Sequence, residues 1–446
     1  MAVMRRFIER VISDWYRARE RKPLFLFGAP QVGKTFSIET FAAAYFAQGI
    51  QRIDCSNTEE AEVLFGANIN LGGVLGVLRQ RLGAQLAPGR TLLFFDNIDA
   101  YPAGLERIRE LSEIEPGLHV AVAGIMHPEF ERLLIPLNEC FQTAQLLPLS
   151  FAEYLCAGGE AAAAQAVLSA PQPLASSLHT LLLQELANYL VVGGWPASVK
   201  AFHQTHVFDD SLKLQKEIVA TLNSLDFGKE APRRAVEVLL RTSAWHPGEQ
   251  SGLGDYTKEI PQTMVKRTFE HLSRVQAAYR IMPIVSGPQQ HAMRRVKGFK
   301  TLLCDVGILR TLTGTNCPNV NAPETPDFVA MSGTFDQFVG QELLHNQEEM
   351  PQYWASTALG SRSKVNYLAQ IDQKLCPIII EQPHMDQALH ALEVYLGAYP
   401  SCPRGFRFSI RPYVPPSGKS RVMECPVYYA FSVSAGETTE DFRNIL

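Results

Sequence analysis

No stretch of this sequence approaches the roughly 18 uninterrupted apolar residues that a membrane-spanning helix needs. Nor does its start join a basic segment to an apolar core and a small-residue cleavage site, so neither membrane insertion nor export is expected and the cytoplasm is the expected location. Cysteine is sparse: eight residues stand singly at 55, 140, 156, 304, 317, 376, 402 and 425, and no two form a C-x-x-C pair. That spacing argues against a zinc site and against a disulfide framework, and predicts reduced core thiols. Nothing in the composition suggests disorder, since 46% hydrophobic residues over 446 positions suffice for real cores, in about three domains on the usual prior of roughly 100–200 residues each. Charge of one sign is short overall, the net being only −4, but it is unevenly placed. Lys229 to Arg310 carries fourteen Lys/Arg against seven Asp/Glu, a net of +7 against −11 in the remainder. A basic middle in an acidic chain points to a partner.

What is present is most informative at Gly28-Ala29-Pro30-Gln31-Val32-Gly33-Lys34-Thr35, which fits G-x-x-x-x-G-K-[ST] without a substitution. It follows the apolar run Leu24–Phe27 and opens the apolar stretch Ser37–Phe46, the strand–loop–helix setting a phosphate-binding loop requires. In such a loop, Gly28, Gln31, Val32 and Gly33 bring backbone N–H groups round a nucleotide's phosphates. Lys34 reaches the β/γ oxygens, and the Thr35 hydroxyl is a ligand for Mg²⁺. ATP with Mg²⁺ is therefore the expected cofactor.

Before this loop, Phe7, Ile8, Val11, Ile12, Trp15 and Tyr16 repeat at helical spacing and predict an amphipathic helix. After it, Gln51–Asp54 reads as a short strand and Leu71–Leu86 as a helix. Thr91–Asp96 reads as a buried strand delivering a carboxylate to the metal, which makes Asp96 the second Mg²⁺ ligand. The following position would hold a glutamate in a hydrolysing enzyme of this kind, to position and deprotonate the attacking water. Here it is Asn97, which can orient water but cannot accept its proton. Asp99 stands two residues further on as an alternative base. His119–Gly124 is a further strand, followed by Ile125-Met126 where a polar phosphate sensor would be expected.

The loop, the Asp96 strand, Pro148-Leu149-Ser150-Phe151-x-Glu153-Tyr154 and Tyr189-Leu190-x-x-Gly193-Gly194-Trp195-Pro196 together resemble the prokaryotic AAA-type ATPases that carry a C-terminal domain of formerly unknown function. The resemblance runs along almost the whole chain. It implies an α/β fold: a parallel-sheet P-loop NTPase core, a winged-helix region, and an α/β domain like a restriction endonuclease. The segments that match are 1–156 for the ATPase core, 178–312 for a helical lid plus winged helix, and 332–446 for the last domain. That family tends to carry Gly-Arg before the Pro-Leu-Ser-Phe motif, where this chain has Leu137-Asn138-Glu139-Cys140, Arg132 being the nearest arginine.

Ala157 to Ser177 is rich in Ala, Gly, Ser and Pro and predicts a flexible or loosely helical connection. From Arg233 the pattern is helix, Pro261 turn, helix and ribbon. Lys266, Arg267, Glu270, His271 and Arg274 are the expected outward positions of the second helix, and Arg294, Arg295, Lys297 and Lys300 lie on the candidate wing. DNA contact through Lys266, Arg267, Arg274, Arg294 and Arg295 is one reading, phosphate neutralisation steepening the salt dependence. A solvated face or a dock for another domain is the other. Cys304-Asp305-Val306-Gly307 resembles the family's strand-end Asp-x-Gly.

In the last domain the resemblance implies a metal site at Asp336, Asn366, Glu381 and Pro383. Asparagine lacks the charge to hold a hard cation, and proline supplies no lysine-like proton or field, so a retained fold with lost chemistry is expected. Residues 404–431 alternate apolar and basic and predict closing antiparallel strands. Two function classes follow. One is a nucleotide-dependent switch or scaffold with slow or absent hydrolysis, whose bound state sets the position of the basic winged helix and the last domain, with a protein partner or self-association as its expected contacts. The other is an active ATPase on nucleic acid, with Asp99 as base and an arginine supplied by a neighbouring subunit.

Overall fold

The computed structural model describes residues 4–66, 71–83, 86–284, 298–314, 332–345, 350–356, 363–371, 374–381, 387–416, 418 and 420–435. They form two compact units. Arg6–Leu147 with Arg274–Gln276 make the first, and Met1–Arg5, Pro148–Ser273 and Ala277–Leu446 the second. No helix of the described residues is long and apolar enough to cross a membrane.

The first unit runs α1 (Ile8–Arg17), β1 (Leu24–Gly28), α2 (Lys34–Tyr45), β2 (Ile50–Asp54), α3 (Thr58–Phe65), α4 (Leu71–Leu82), β3 (Leu92–Asp96), α5 (Gly104–Ile114), β4 (His119–Gly124), α6 (Pro128–Leu134) and β5 (Gln142–Leu146). Among the described residues its sheet has five strands in the order β2-β3-β4-β1-β5, all parallel. Leu24–Leu26 and all of β3 and β4 are buried, as parallel strands covered on both faces must be. The order brings the C-terminal ends of β1, β3 and β4 side by side, so the loops after them share one edge. The register aligns Asp54 on β2 with Asp96 on β3, so two carboxylates end adjacent strands at the same level.

The second unit begins with α7 (Phe151–Ala157), α8 (Ala161–Val167), α9 (Ser176–Val192), α10 (Pro196–Thr205), α11 (Phe208–Asn223) and α12 (Arg233–Trp245). β6 (Gln250–Ser251), α13 (Gln262–Arg274, its last residue grouped with the first unit), β7 (Ala278–Ile281), β8 (Pro283–Ile284), β9 (Phe299–Leu303) and α14 (Val306–Thr313) follow. Then come α15 (Ser332–Leu344), β10 (Gln352–Ala355), β11 (Lys364–Ile371), β12 (Lys374–Ile380), α16 (Gln387–Ala398), β13 (Gly405–Ser409), β14 (Val422–Pro426) and α17 (Ala430–Ala435). Among the described residues, β6, β9 and β7 make a three-stranded antiparallel sheet, and β14-β13-β12-β11-β10-β8 a six-stranded mixed one.

The segments 148–154, 189–196 and 304–307 meet in this unit at one buried carboxylate. Asp305 caps α14, accepting from the N–H groups of Gly307 (2.9 Å) and Ile308 (3.1 Å), and also from that of Gly194 (2.6 Å) in the turn between α9 and α10. Leu149 N–H in turn donates to Gly194 O (2.7 Å), and the Tyr189 hydroxyl to Leu149 O (2.6 Å). Gly193 stands at φ 69°, and a Cβ there would lie 2.2 Å from Asp305 Oδ1, so only glycine fits. Burial raises the Asp305 carboxyl to about 6 while the amides pull it back. Burial pushes Glu342 on α15 up to about 8; it accepts from Phe151 N–H (3.0 Å), which opposes the rise, while Glu153 adds to it.

Three expectations need correction. The stretch 157–177 contains α8, whose Ala163, Ala164 and Val167 are buried: alanine is the best helix former, and here the helix packs. α4 ends at Leu82, short of Leu86. β13 is parallel to both β12 and β14, so the chain crosses back over the sheet between these strands.

His119, at the start of β4, is enclosed by the rings of Trp15, Tyr16 and Phe46 at 4.9–5.7 Å. Burial, with Arg21 adding to it, pushes its proton affinity down to about 4. The folded chain therefore refuses a proton that the unfolded chain accepts, and stability is lost as pH falls from the ordinary 6.5 towards 4. In His119→Phe this part of the acid destabilisation should vanish, on the order of 2 kcal/mol between pH 7 and 4.5. Urea unfolding of both proteins at the two pH values measures it, and identical pH dependence would refute the assignment.

Candidate nucleotide-binding site

The loop between β1 and α2 has the backbone that its glycines predict. Gly33 stands at φ 101° and Gln31 at φ 60°, and a Cβ on Gly28 would lie 2.3 Å from Leu146 O on the neighbouring strand. Lys34 begins α2 and is buried. Its ammonium donates to Gly28 O (3.0 Å) and Ala29 O (2.9 Å), bridging the mouth of the loop. Burial lowers it to about 8, while Asp99 first and Asp96 second pull the other way. That value leaves Lys34 largely protonated at neutral pH, and an arriving phosphate would raise it further.

Thr35 and Asp96 are brought together: the Thr35 hydroxyl donates to Asp96 Oδ2 at 2.8 Å. A hydroxyl and a buried carboxylate sharing one point fit a hard cation with oxygen ligands, so these two side chains would hold Mg²⁺. Val32 is buried and Gln31 exposed. Asn97 sits in the left-handed region (φ 53°) and turns its amide to β2, donating to Asp54 Oδ1 at 2.9 Å. Asp54 is also held by the backbone and hydroxyl of Ser56. Burial tends to raise its proton affinity, but Asn97, Ser56 and Arg52 win and hold it below the usual range.

Asp99, in the 3-10 turn after β3, reaches the end of β4, where its Oδ1 accepts from Ile125 N–H (2.9 Å) and its Oδ2 lies 3.7 Å from His127 Nε2. His127 is itself pushed down by burial and by Lys34, against Asp99 and Glu129. Arg132 lies exposed on α6. Three groups escaped the sequence reading. Arg52 on β2 is ion-paired to Asp96, its Nη2 2.7 Å from Oδ2. Asp54 could have been found, since the two neighbouring strands both end in aspartate. His127 follows the Ile125-Met126 pair that suggested no polar group.

The basic face is smaller than expected. Lys266 and Arg267 are exposed, Arg267 pairing with Glu270 at 3.3 Å, but His271 is buried against Phe227. Arg274, grouped with the first unit, pairs with Glu131 of that unit. Arg294, Arg295 and Lys297 lie outside the described residues. Lys300 is no surface residue: on β9, it is buried and ion-paired to Asp336 of α15 (2.7 Å), and it donates to Asn366 O (3.1 Å). Burial lowers its proton affinity, and Asp336 opposes this.

Asp336 also accepts from the Asn366 amide (2.7 Å) and the Tyr367 hydroxyl (2.7 Å). Asn366 thus does face Asp336, as the resemblance implies, but as a hydrogen-bond donor. Glu381 lies at the end of β12 and accepts from Arg407 (3.0 Å) and Arg411 (2.9 Å). Pro383 lies outside the described residues.

Residues 20–155 match a family model described as an AAA domain, and residues 183–319 a domain of unknown function. The first of these stretches is an AAA-type P-loop ATPase domain. No curated protein matches. Among solved structures the chain is similar to a Walker-type ATPase of Pyrococcus abyssi, at 14% identity and a TM-score of 0.43, over 70% of this chain and 96% of that one. Looser likenesses are to the Drosophila ORC bound to DNA (12% identity, TM-score 0.25, 69% and 94% covered) and to a structure on katanin self-assembly (14%, 0.23, 41% and 58%).

Proposed function

We propose that this protein is an ATP-binding AAA-type switch or scaffold that takes up ATP with Mg²⁺, hydrolyses it slowly or not at all, and presents its second unit to a partner. The observation that carries this reading is the pairing at β3: Asp96 meets the Thr35 hydroxyl, while the residue beside it, Asn97, spends its amide on Asp54. Binding is provided for and proton acceptance from water at that position is not. When bound, Mg²⁺ supplies charge that offsets the triphosphate. Lys34 holds the β/γ oxygens, and the loop amides orient them.

The element order α12, β6, α13, β7, β9 with its three-stranded sheet supports the reading of a winged helix. Its exposed Lys266 and Arg267 offer a small basic face to nucleic acid or to another acidic surface. The six-stranded sheet supports a nuclease-like fold, and the pairing of Asp336 with Lys300, and of Glu381 with two arginines, supports its being inactive. A second reading, an active ATPase, is favoured by Asp99: its carboxylate acts on Lys34 more strongly than Asp96 does and lies beside His127.

Three outcomes are expected. ATP with Mg²⁺ at about 100 times its dissociation constant should add roughly 2.7 kcal/mol of stability, seen as a higher melting temperature that Lys34→Ala abolishes. No shift in the wild-type chain freed of copurified nucleotide would remove the basis of the reading. Phosphate release should be at the edge of detection, since lacking a base costs on the order of 10²–10⁴ in rate. Asn97→Glu should raise it, and more so together with Asp54→Asn, because a lone Glu would face the Asp54 carboxylate. Flat rates in both variants, with ATP still bound, would show that the base is not what limits turnover. Finally, supercoiled plasmid, linear duplex and single strands should survive incubation with Mg²⁺ or Mn²⁺. Cleavage that Glu381→Ala eliminates would show a living nuclease centre.

A further inference from the structure

The oxygen of Asp96 that faces Thr35 is already claimed by a cation of the chain itself. Arg52 Nη2 lies 2.7 Å from Asp96 Oδ2, the atom that also accepts the Thr35 hydroxyl at 2.8 Å. Oδ1 accepts Asn97 N–H at 3.1 Å. Oδ2 thus accepts the Thr35 hydroxyl on one side and stands in ion-pair contact with the Arg52 guanidinium on the other. Arg52 reaches there from β2, two residues before the strand end that pairs Asp54 with Asp96. Its other terminal nitrogen, Nη1, donates to Glu39 Oε1 on α2 at 3.2 Å, and Nη2 is also 4.0 Å from Asp54 Oδ2. One guanidinium thus stands among three carboxylates at the point where the divalent cation would sit.

We propose that Arg52 is a resident counter-ion at the metal position. This rests on the reading of the P-loop as an ATP site, and adds to it that ATP can enter without Mg²⁺ and that Mg²⁺ must displace Arg52 to reach Asp96. The charges require it. Without metal, a triphosphate approaches Asp96, Asp54 and Glu39, and Lys34 and Arg52 offset the repulsion on that side of the loop. With metal, the ion needs the face of Asp96 Oδ2 that the guanidinium covers. Glu39 gives the displaced side chain a place to go, since that bond leaves Asp96 untouched. A guanidinium is suited to this exchange because it stays charged at any relevant pH and binds carboxylates as a planar fork.

The experiment measures binding of a fluorescent ATP analogue to the full chain, first in EDTA and then as Mg²⁺ is titrated at fixed nucleotide, for wild type, Arg52→Ala and Arg52→Lys. Wild type should bind in EDTA. Arg52→Ala should weaken that binding by about tenfold or more, as loss of a charge-assisted hydrogen bond does. The Mg²⁺ concentration giving half the added affinity should fall by a similar factor, because nothing competes for Asp96, and Arg52→Lys should lie between the two. Equal EDTA binding and an equal Mg²⁺ midpoint in wild type and Arg52→Ala would overturn the proposal while leaving the ATP site standing. Absence of wild-type binding under both conditions would overturn the ATP site as well.

Discussion

A carboxylate taken out of water must be met by positive charge or by several N–H groups, and the architecture of this protein follows from how it meets that demand. Asp305 is met by backbone amides alone, which ties the Gly193-Gly194 turn, the start of α14 and the Pro-Leu-Ser-Phe segment into one buried knot. Asp336 is met by Lys300, an amide and a phenol. Asp96 is met by Thr35, Arg52 and its neighbour's N–H. Glu342, with less help, keeps its proton up to about pH 8. Asp305, held by the amides of Gly194, Gly307 and Ile308, sits lower than Glu342, as solvation by the protein in place of water requires.

At the edge of the parallel sheet the same physics bears on chemistry. Parallel strands end together, so the strand order alone gathers Lys34, Asp54, Asp96 and Asp99 within reach of one another. Four charged groups in so small a volume cannot all be left unpaired. Each partnership formed in the absence of ligand defines what a ligand must replace: Lys34 releases two carbonyls, Asp96 releases a hydroxyl and a guanidinium.

Much of this was legible in the chain. Continuous apolar runs gave the buried parallel strands, and an unsubstituted glycine-rich loop gave the phosphate site, because both are dictated by local sequence. What stayed hidden depends on contacts between distant segments. Lys300 reads as a wing residue among Arg294, Arg295 and Lys297, and only its neighbours on α15 and β11 reveal it as an internal ion. His271 falls on the charged side of the helical wheel yet packs on Phe227, since a ring can bury where a lysine cannot. The direction of β13 likewise depends on where the chain crosses over, which alternation of residues does not encode.

The Lys300–Asp336 pair also limits which substitutions the chain tolerates. Its two members, on β9 and α15, stand 36 residues apart in the chain, and neither has water to fall back on. An apolar residue in place of Asp336 would strand an ammonium in the interior, and one in place of Lys300 would strand a carboxylate. Either change alone is costly, whereas exchanging both for apolar residues of similar volume is not.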